Sequence, residues 1–130
     1  MAEGTFVTTI NCMDGRTQQP VADWMKQQFG ADYVDTITEP GADKALTEAP
    51  DWQIESIKSR VMISVNGHGS RVVSIVGHDD CAGNPVSKEK HQDMTRRAVE
   101  VVKSWGLPVR IIGIWLEENR QVEVIVDTGE

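Results

Sequence analysis

Two cysteines and a histidine stand where two apolar runs of this chain end. Cys12 opens Cys12-Met13-Asp14-Gly15-Arg16 directly after the run Phe6 to Ile10, and His78 and Cys81 sit in Gly77-His78-Asp79-Asp80-Cys81 directly after Val72 to Val76. Two thiolates and an imidazole form a ligand set that Zn²⁺ favours, and a catalytic zinc keeps three protein ligands and one open position. The three-residue step from His78 to Cys81 lets one turn present both side chains to the same ion, so Cys12 must arrive from a neighbouring strand. Open α/β sheets place their sites at the carboxyl ends of strands, where all three residues fall. A disulfide, a pair of inert buried thiols and a redox pair are the other readings of Cys12 and Cys81. Thiols beside His and Asp in a reducing compartment favour ligation.

Asp14 and Arg16 lie two residues apart in the loop that carries Cys12. An Asp–Arg pair lowers the carboxylate's pKa and fixes its direction, so Asp14 can accept a proton-bearing oxygen held at a metal. With the pair broken, Asp14 could instead swing in as a fourth ligand and close the site. An ordinary turn ion pair is the plainer alternative. Other polar residues carry weaker signals. Asp79 and Asp80 read as solvated turn carboxylates. His91 reads as an exposed residue near a helix start, with a minor claim as a proton shuttle. His68 precedes its strand and belongs at the opposite end of the sheet. The four Trp read as core or interface.

The elements that must position these residues follow from periodicity. Alternation from Thr5 to Ile10 predicts a first strand, with Asn11 and Cys12–Gly15 as its closing turn. Pro20 near a helix start, followed by Val21, Trp24, Met25 and Phe29 and closed by Gly30, predicts the first helix. Tyr33 to Thr38 reads as a second strand, and Glu39 to Asp43 as a turn. Trp52 to Val65 reads as a helix ended by Asn66-Gly67, Arg71 to Val76 as a strand covered on both faces, and Gln92 to Trp105 as an amphipathic helix ended by Gly106. Val109 to Leu116 and Gln121 to Val126 are the last strands, too close for a helical crossover and so an antiparallel hairpin at one edge. Strands alternating with helices imply an α/β fold with a mostly parallel central sheet.

At 130 residues the whole chain, 1–130, reads as one domain able to bury a core without disulfide staples. A formal charge of −7 with scattered Lys and Arg argues against a nucleic-acid partner. No apolar run approaches a membrane span, and Met1-Ala2-Glu3-Gly4 has neither a basic nor an apolar leader region, so a cytoplasmic protein is expected.

The motif pair is specific enough to carry a resemblance. Cys-x-Asp-x-Arg after a first strand, followed about 65 residues later by Gly-His-x-x-Cys after another, resembles the β-class carbonic anhydrases over roughly residues 5 to 116. The resemblance implies Zn²⁺ on Cys12, His78 and Cys81 and a catalytic dyad of Asp14 and Arg16. It implies reversible hydration of carbon dioxide to bicarbonate by zinc-bound hydroxide, with the proton passing to solvent or buffer. It further implies a sheet in the order 2-1-3-4 plus an antiparallel edge strand, and a homodimer whose partner helps wall the pocket. The chain is shorter than usual members and lacks their N-terminal helical arm. Where the family has an Arg-Asn-Ala-Gly-like segment, this chain has Thr38-Glu39-Pro40-Gly41-Ala42, and Gln18 and Gln19 have a different context from the family's pocket glutamine. These departures leave two alternatives: a zinc hydrolase of the same fold acting on another small electrophile such as carbon disulfide, or a non-catalytic zinc-binding or regulatory protein.

Overall fold

The computed structural model describes residues 3–129; the Met1-Ala2 stretch read for a leader lies outside them. The chain runs β1 (Phe6–Cys12), α1 (Gly15–Phe29), β2 (Tyr33–Glu39), α2 (Ala42–Glu48), α3 (Asp51–His68), β3 (Val72–His78), α4 (Lys88–Lys103), β4 (Arg110–Leu116) and β5 (Val122–Asp127). These strands form one sheet in the order β2-β1-β3-β4-β5. The first four are parallel and β5 pairs antiparallel with β4, as the short link between them requires.

Helices cover both faces. Ile57, Val61 and Val65 of α3, Ala98, Val99 and Val102 of α4, and Ala45 and Leu46 of α2 pack on Ile10, Val73 and Ile75 on one side. Val21 and Met25 of α1 pack on Val7, Val76, Ile112 and Ile114 on the other. Burial on both sides explains why β3 and β4 read as continuous apolar runs. The chain leaves β1 for β2 in one direction and reaches β3 in the other, so β1 and β3 flank the switch point of the sheet. Their pairing runs from Thr8↔Val73 to Ile10↔Ile75 and stops there. The last residues of β1 and β3 therefore leave the ladder before Cys12 and His78.

Several boundaries differ from the sequence expectation. Helix α1 begins at Gly15, with Pro20 inside it, because the Asp14 side chain caps it by accepting from the Arg16 backbone N–H. What read as a closing turn is thus the start of a helix. The segment from Glu39 to Asp43 is not simply a turn: β2 continues to Glu39, and α2 begins at Ala42 behind Gly41, whose φ of 64° suits glycine. Helix α3 runs on to His68 and ends at Gly69 rather than Asn66-Gly67. Helix α4 starts at Lys88 under a Ser87 cap, earlier than Gln92, and ends at Lys103.

Candidate metal centre

The three candidate ligands arrive from two strand ends. Cys12 is the last residue of β1 and His78 the last of β3, and Cys81 follows in the loop after β3. All three are buried, and one ligand atom from each lies within 4.8 Å of the others. The two sulfurs are 4.0 Å apart and both cysteines are free, so they form no disulfide. Two sulfurs each about 2.3 Å from a tetrahedral zinc would stand roughly 3.8 Å apart, close to this spacing. The imidazole is oriented as a ligand should be. His78 Nδ1 is 2.8 Å from the Asp79 carbonyl oxygen, which can only accept, so Nδ1 carries a proton and Nε2 is the nitrogen left to the cluster. Nε2 is buried and has no hydrogen-bond partner among the described residues. A buried imidazole nitrogen with no hydrogen-bond partner, beside two sulfurs, fits a thiophilic cation.

The three side chains share protons across the cluster. Hydrogen bonding from the Cys81 thiol pulls Cys12 down to about 4 against the upward push of burial, and His78 and the Gly41 and Asp14 peptide N–H groups add to the pull. The same contact pushes Cys81 up, reinforced by burial and by the negative charge on Cys12, while the Asn84 and Gly83 N–H groups pull the other way. Burial pushes His78 down, but the Cys12 sulfur, the Asp79 carbonyl and the charges on Cys12 and Asp14 outweigh it, so the net direction is up. The site thus holds protons tightly between a thiolate, a thiol and an imidazole. Ligands of these types release their protons when a metal binds.

Asp14 stands outside the three-atom cluster and is turned onto Arg16. Its Oδ1 accepts from Arg16 Nε at 3.0 Å and its Oδ2 from Nη2 at 2.6 Å. Hydrogen bonds from the Arg16 side chain, then from its backbone N–H, hold the Asp14 carboxyl well below the usual carboxylate range. Arg16 also crosses to the other ligand loop, donating to Asp80 Oδ2 at 3.2 Å and to the Asp80 carbonyl at 3.0 Å. Asp80 adopts a φ of 55°, an uncommon conformation for a residue with a side chain. Asp80 is exposed, as expected of a turn carboxylate, yet it is the second anchor of the guanidinium; Asp79 is exposed as well. Gln18 spends its amide on the Cys12 carbonyl oxygen at 2.6 Å.

Three relatives give the fold a name. A family model described as "Putative carbonic anhydrase" matches residues 2–126. The chain belongs to the carbonic anhydrase family. Its fold is that of the β-class enzymes. It is similar to the β-carbonic anhydrase isoform I of Trichomonas vaginalis, with a TM-score of 0.66 at 15% identity, covering 95% of this chain and 83% of that one. It is also similar to a β-carbonic anhydrase of Sordaria macrospora, one of two described as tetrameric, with a TM-score of 0.65 at 11% identity over 98% of this chain and 84% of the other. A third match is the β-carbonic anhydrase of Aspergillus fumigatus, with a TM-score of 0.63 at 11% identity over 95% of this chain and 76% of that one. No curated protein matches the sequence at a significant level.

Other polar residues fall differently. His68 lies at the far end of the sheet from Cys12, as its sequence position requires, with Nδ1 2.7 Å from Asp35 Oδ2. His91 is not exposed. It is 1% accessible and pairs with Asp43 across 48 residues of sequence. Because α4 starts at Lys88, His91 falls in its first turn on the side facing α2. Of the tryptophans, Trp115 is buried and Trp52 is exposed. Sequence reasoning missed Asp43, which had read only as a turn residue, and gave no role to Asn84.

Proposed function

We propose that this carbonic anhydrase family member holds Zn²⁺ on Cys12, His78 and Cys81 and hydrates carbon dioxide reversibly to bicarbonate. The convergence of three ligand atoms within 4.8 Å, one of them an orphaned imidazole nitrogen, carries the reading. A zinc ion there would act as a Lewis acid that brings deprotonation of water towards neutral pH. The residues of the chain do the rest. Asp14 stays ionised throughout the neutral range and is acceptor-only, so it takes a hydrogen bond from the attacking oxygen and turns that oxygen's lone pair towards the substrate carbon. Arg16 fixes the carboxylate through two parallel bonds and is itself braced by Asp80. With Asp14 so held, it is kept from serving as a fourth ligand. The product proton leaves to solvent or buffer.

The same reading takes the working form to be a homodimer in the cytoplasm, where the ligand thiols stay reduced. Met13, next to Cys12, and Val86, five residues beyond Cys81, are 62% and 39% exposed, an apolar rim that a second copy could cover. No helix among the described residues is long and apolar enough to cross a membrane.

Stopped-flow measurement of carbon dioxide hydration on zinc-loaded protein tests the proposal. Acceleration above buffer between about pH 7 and 9 is expected. Full zinc loading with no acceleration would leave a metal-binding protein without this activity.

A further inference from the structure

Three polar side chains that the proposed reaction does not use surround the backbone of Cys12. The pairing of β1 with β3 stops at Ile10↔Ile75, so β3 does not hold the end of β1 on that side. Side chains hold it there instead. Asn11 is buried; its Oδ1 accepts from the Cys12 N–H at 2.8 Å, and its Nδ2 donates to the Thr17 carbonyl at 3.3 Å. Gln18 Nε2 donates to the Cys12 carbonyl at 2.6 Å and to Thr17 Oγ1 at 3.4 Å. Thr17 is buried, with Oγ1 2.7 Å from the Asp14 carbonyl oxygen and 3.3 Å from that of Cys12. The hydrogens suffice for this chain. The two on the Gln18 amide serve Cys12 and Thr17, and the one on the Thr17 hydroxyl serves Asp14, the nearer carbonyl.

A threonine hydroxyl bonding back three residues is ordinary at the start of a helix. Asn11 and Gln18 fall outside that pattern. Each reaches across six residues, Asn11 forward to Thr17 and Gln18 back to Cys12. Between them they grip both backbone polar groups of Cys12, the residue that brings β1's candidate ligand. The Thr17 backbone N–H adds a second bond to the Asp14 carbonyl at 3.0 Å. Met13, between Cys12 and Asp14, is 62% exposed, so its side chain does not anchor the loop. Backbone torsions at Cys12 aim the sulfur and those at Asp14 aim the carboxylate, so whatever fixes these peptides fixes both groups.

We propose that Asn11, Thr17 and Gln18 are positioning residues that clamp the Cys12-Met13-Asp14 backbone to the first turn of α1. The clamp holds the Cys12 sulfur and the Asp14 carboxylate in one fixed relation. A binding constellation tolerates errors of only about 0.5 Å, and two residues of otherwise unsupported loop do not meet that limit alone. Thr17 is the junction. Its carbonyl takes Asn11, its hydroxyl oxygen takes Gln18, and its hydroxyl hydrogen goes to Asp14. The inference rests on the metal-site reading above; it assigns how that site is held and adds no ligand to it.

Cobalt-loaded variants test it. Thr17→Val keeps the shape and loses the hydroxyl, and Gln18→Met keeps the length and loses the amide. Both should weaken cobalt affinity by about 10–100-fold in chelator competition and shift the sulfur-to-cobalt charge-transfer band. Thr17→Ser, which keeps the hydroxyl, should restore both values. Gln19→Met, at the neighbouring position whose amide meets Asp23, should leave them at wild type. If wild type takes up no cobalt, the metal-site reading itself fails and this inference with it. If wild type takes up cobalt, and folded Thr17→Val and Gln18→Met melt lower yet keep its band and affinity, the positioning role alone is overturned. A Thr17→Ser protein as impaired as Thr17→Val overturns it too. Should Thr17→Val not fold, Gln18→Met decides, since Gln18 is only half-buried. Should neither fold, coupling from Gln18 Nε2 to the Cys12 carbonyl carbon across their hydrogen bond decides in the zinc-loaded wild type, and its absence overturns the clamp.

Discussion

Asp14 performs two separable tasks, and two substitutions separate them. Its Oδ1 caps α1 by accepting from the Arg16 backbone N–H at 2.9 Å, while both oxygens hold the Arg16 side chain. Asp14→Asn keeps an oxygen for the cap but loses the charge, and sets an amide N–H against Arg16 Nη2. Asp14→Ala loses the cap and the charge together. Losing a cap costs about 1 kcal/mol, with a range of roughly 0.5–2. In a chain of this length that lowers Tm by about 3–6 °C. The ion pair itself adds little, since Arg16 is 47% exposed. Asp14→Asn should therefore melt within about 2 °C of wild type at neutral pH, and Asp14→Ala clearly below it. Both should keep their metal and lose about 10²–10⁴ in hydration rate, because neither offers an acceptor-only group to the nucleophile. The folded carboxyl titrates below its unfolded value, so the ionised form contributes stability that is fully present above the unfolded pKa near about 3.9. That contribution is lost as pH falls through the lower folded value. The small stability gap between wild type and Asp14→Asn should hold steady above about pH 5 and close on further acidification. Thermal melts across pH together with stopped-flow rates check the set. An Asp14→Asn protein as unstable as Asp14→Ala, or one that turns over at the wild-type rate, would refute the division of roles.

Three further outcomes follow from the same geometry. Gly83→Ala forces a Cβ onto the Pro40 and Gly41 backbone, so it should cost about 1–3 kcal/mol in chemical denaturation and weaken zinc retention. Ile75→Ala, at a fully buried position in β3, should cost about 2–5 kcal/mol yet leave metal stoichiometry unchanged under native conditions, since the cavity lies within the sheet packing. Metal-free protein should show thiolate absorbance from one cysteine rising with a midpoint at about 4, with the second thiol remaining protonated well into the alkaline range. Two thiols titrating together near the ordinary value would contradict the shared-proton arrangement.

The strands were legible because each carries its own signal. Val72 to Val76 is apolar on both sides of the pleat, and the gap between β4 and β5 admits only a hairpin. The convergence of Cys12, His78 and Cys81 was legible because zinc chemistry restricts the residue types of a candidate site and strand ends restrict their placement. Helix α2 was not, because seven residues give too little periodicity to separate a helix from a turn. The start of α1 was misplaced because Pro20 suggested a first-turn position, while Asp14 was weighed for chemistry and not as a cap. Burial of Asp43 and His91 could not be read locally. A polar residue is buried only when a partner satisfies it, and here the partner lies 48 residues away. The role of Asp80 was hidden for a related reason, since it meets Arg16 across 64 residues of sequence.

Metal analysis of freshly purified protein tests the central claim most directly. About one zinc per chain is expected, lost when Cys12, His78 or Cys81 is replaced and kept when Asp14 is. Protein that contains no transition metal, takes none up on exposure to zinc, and leaves both thiols free to react would contradict the account.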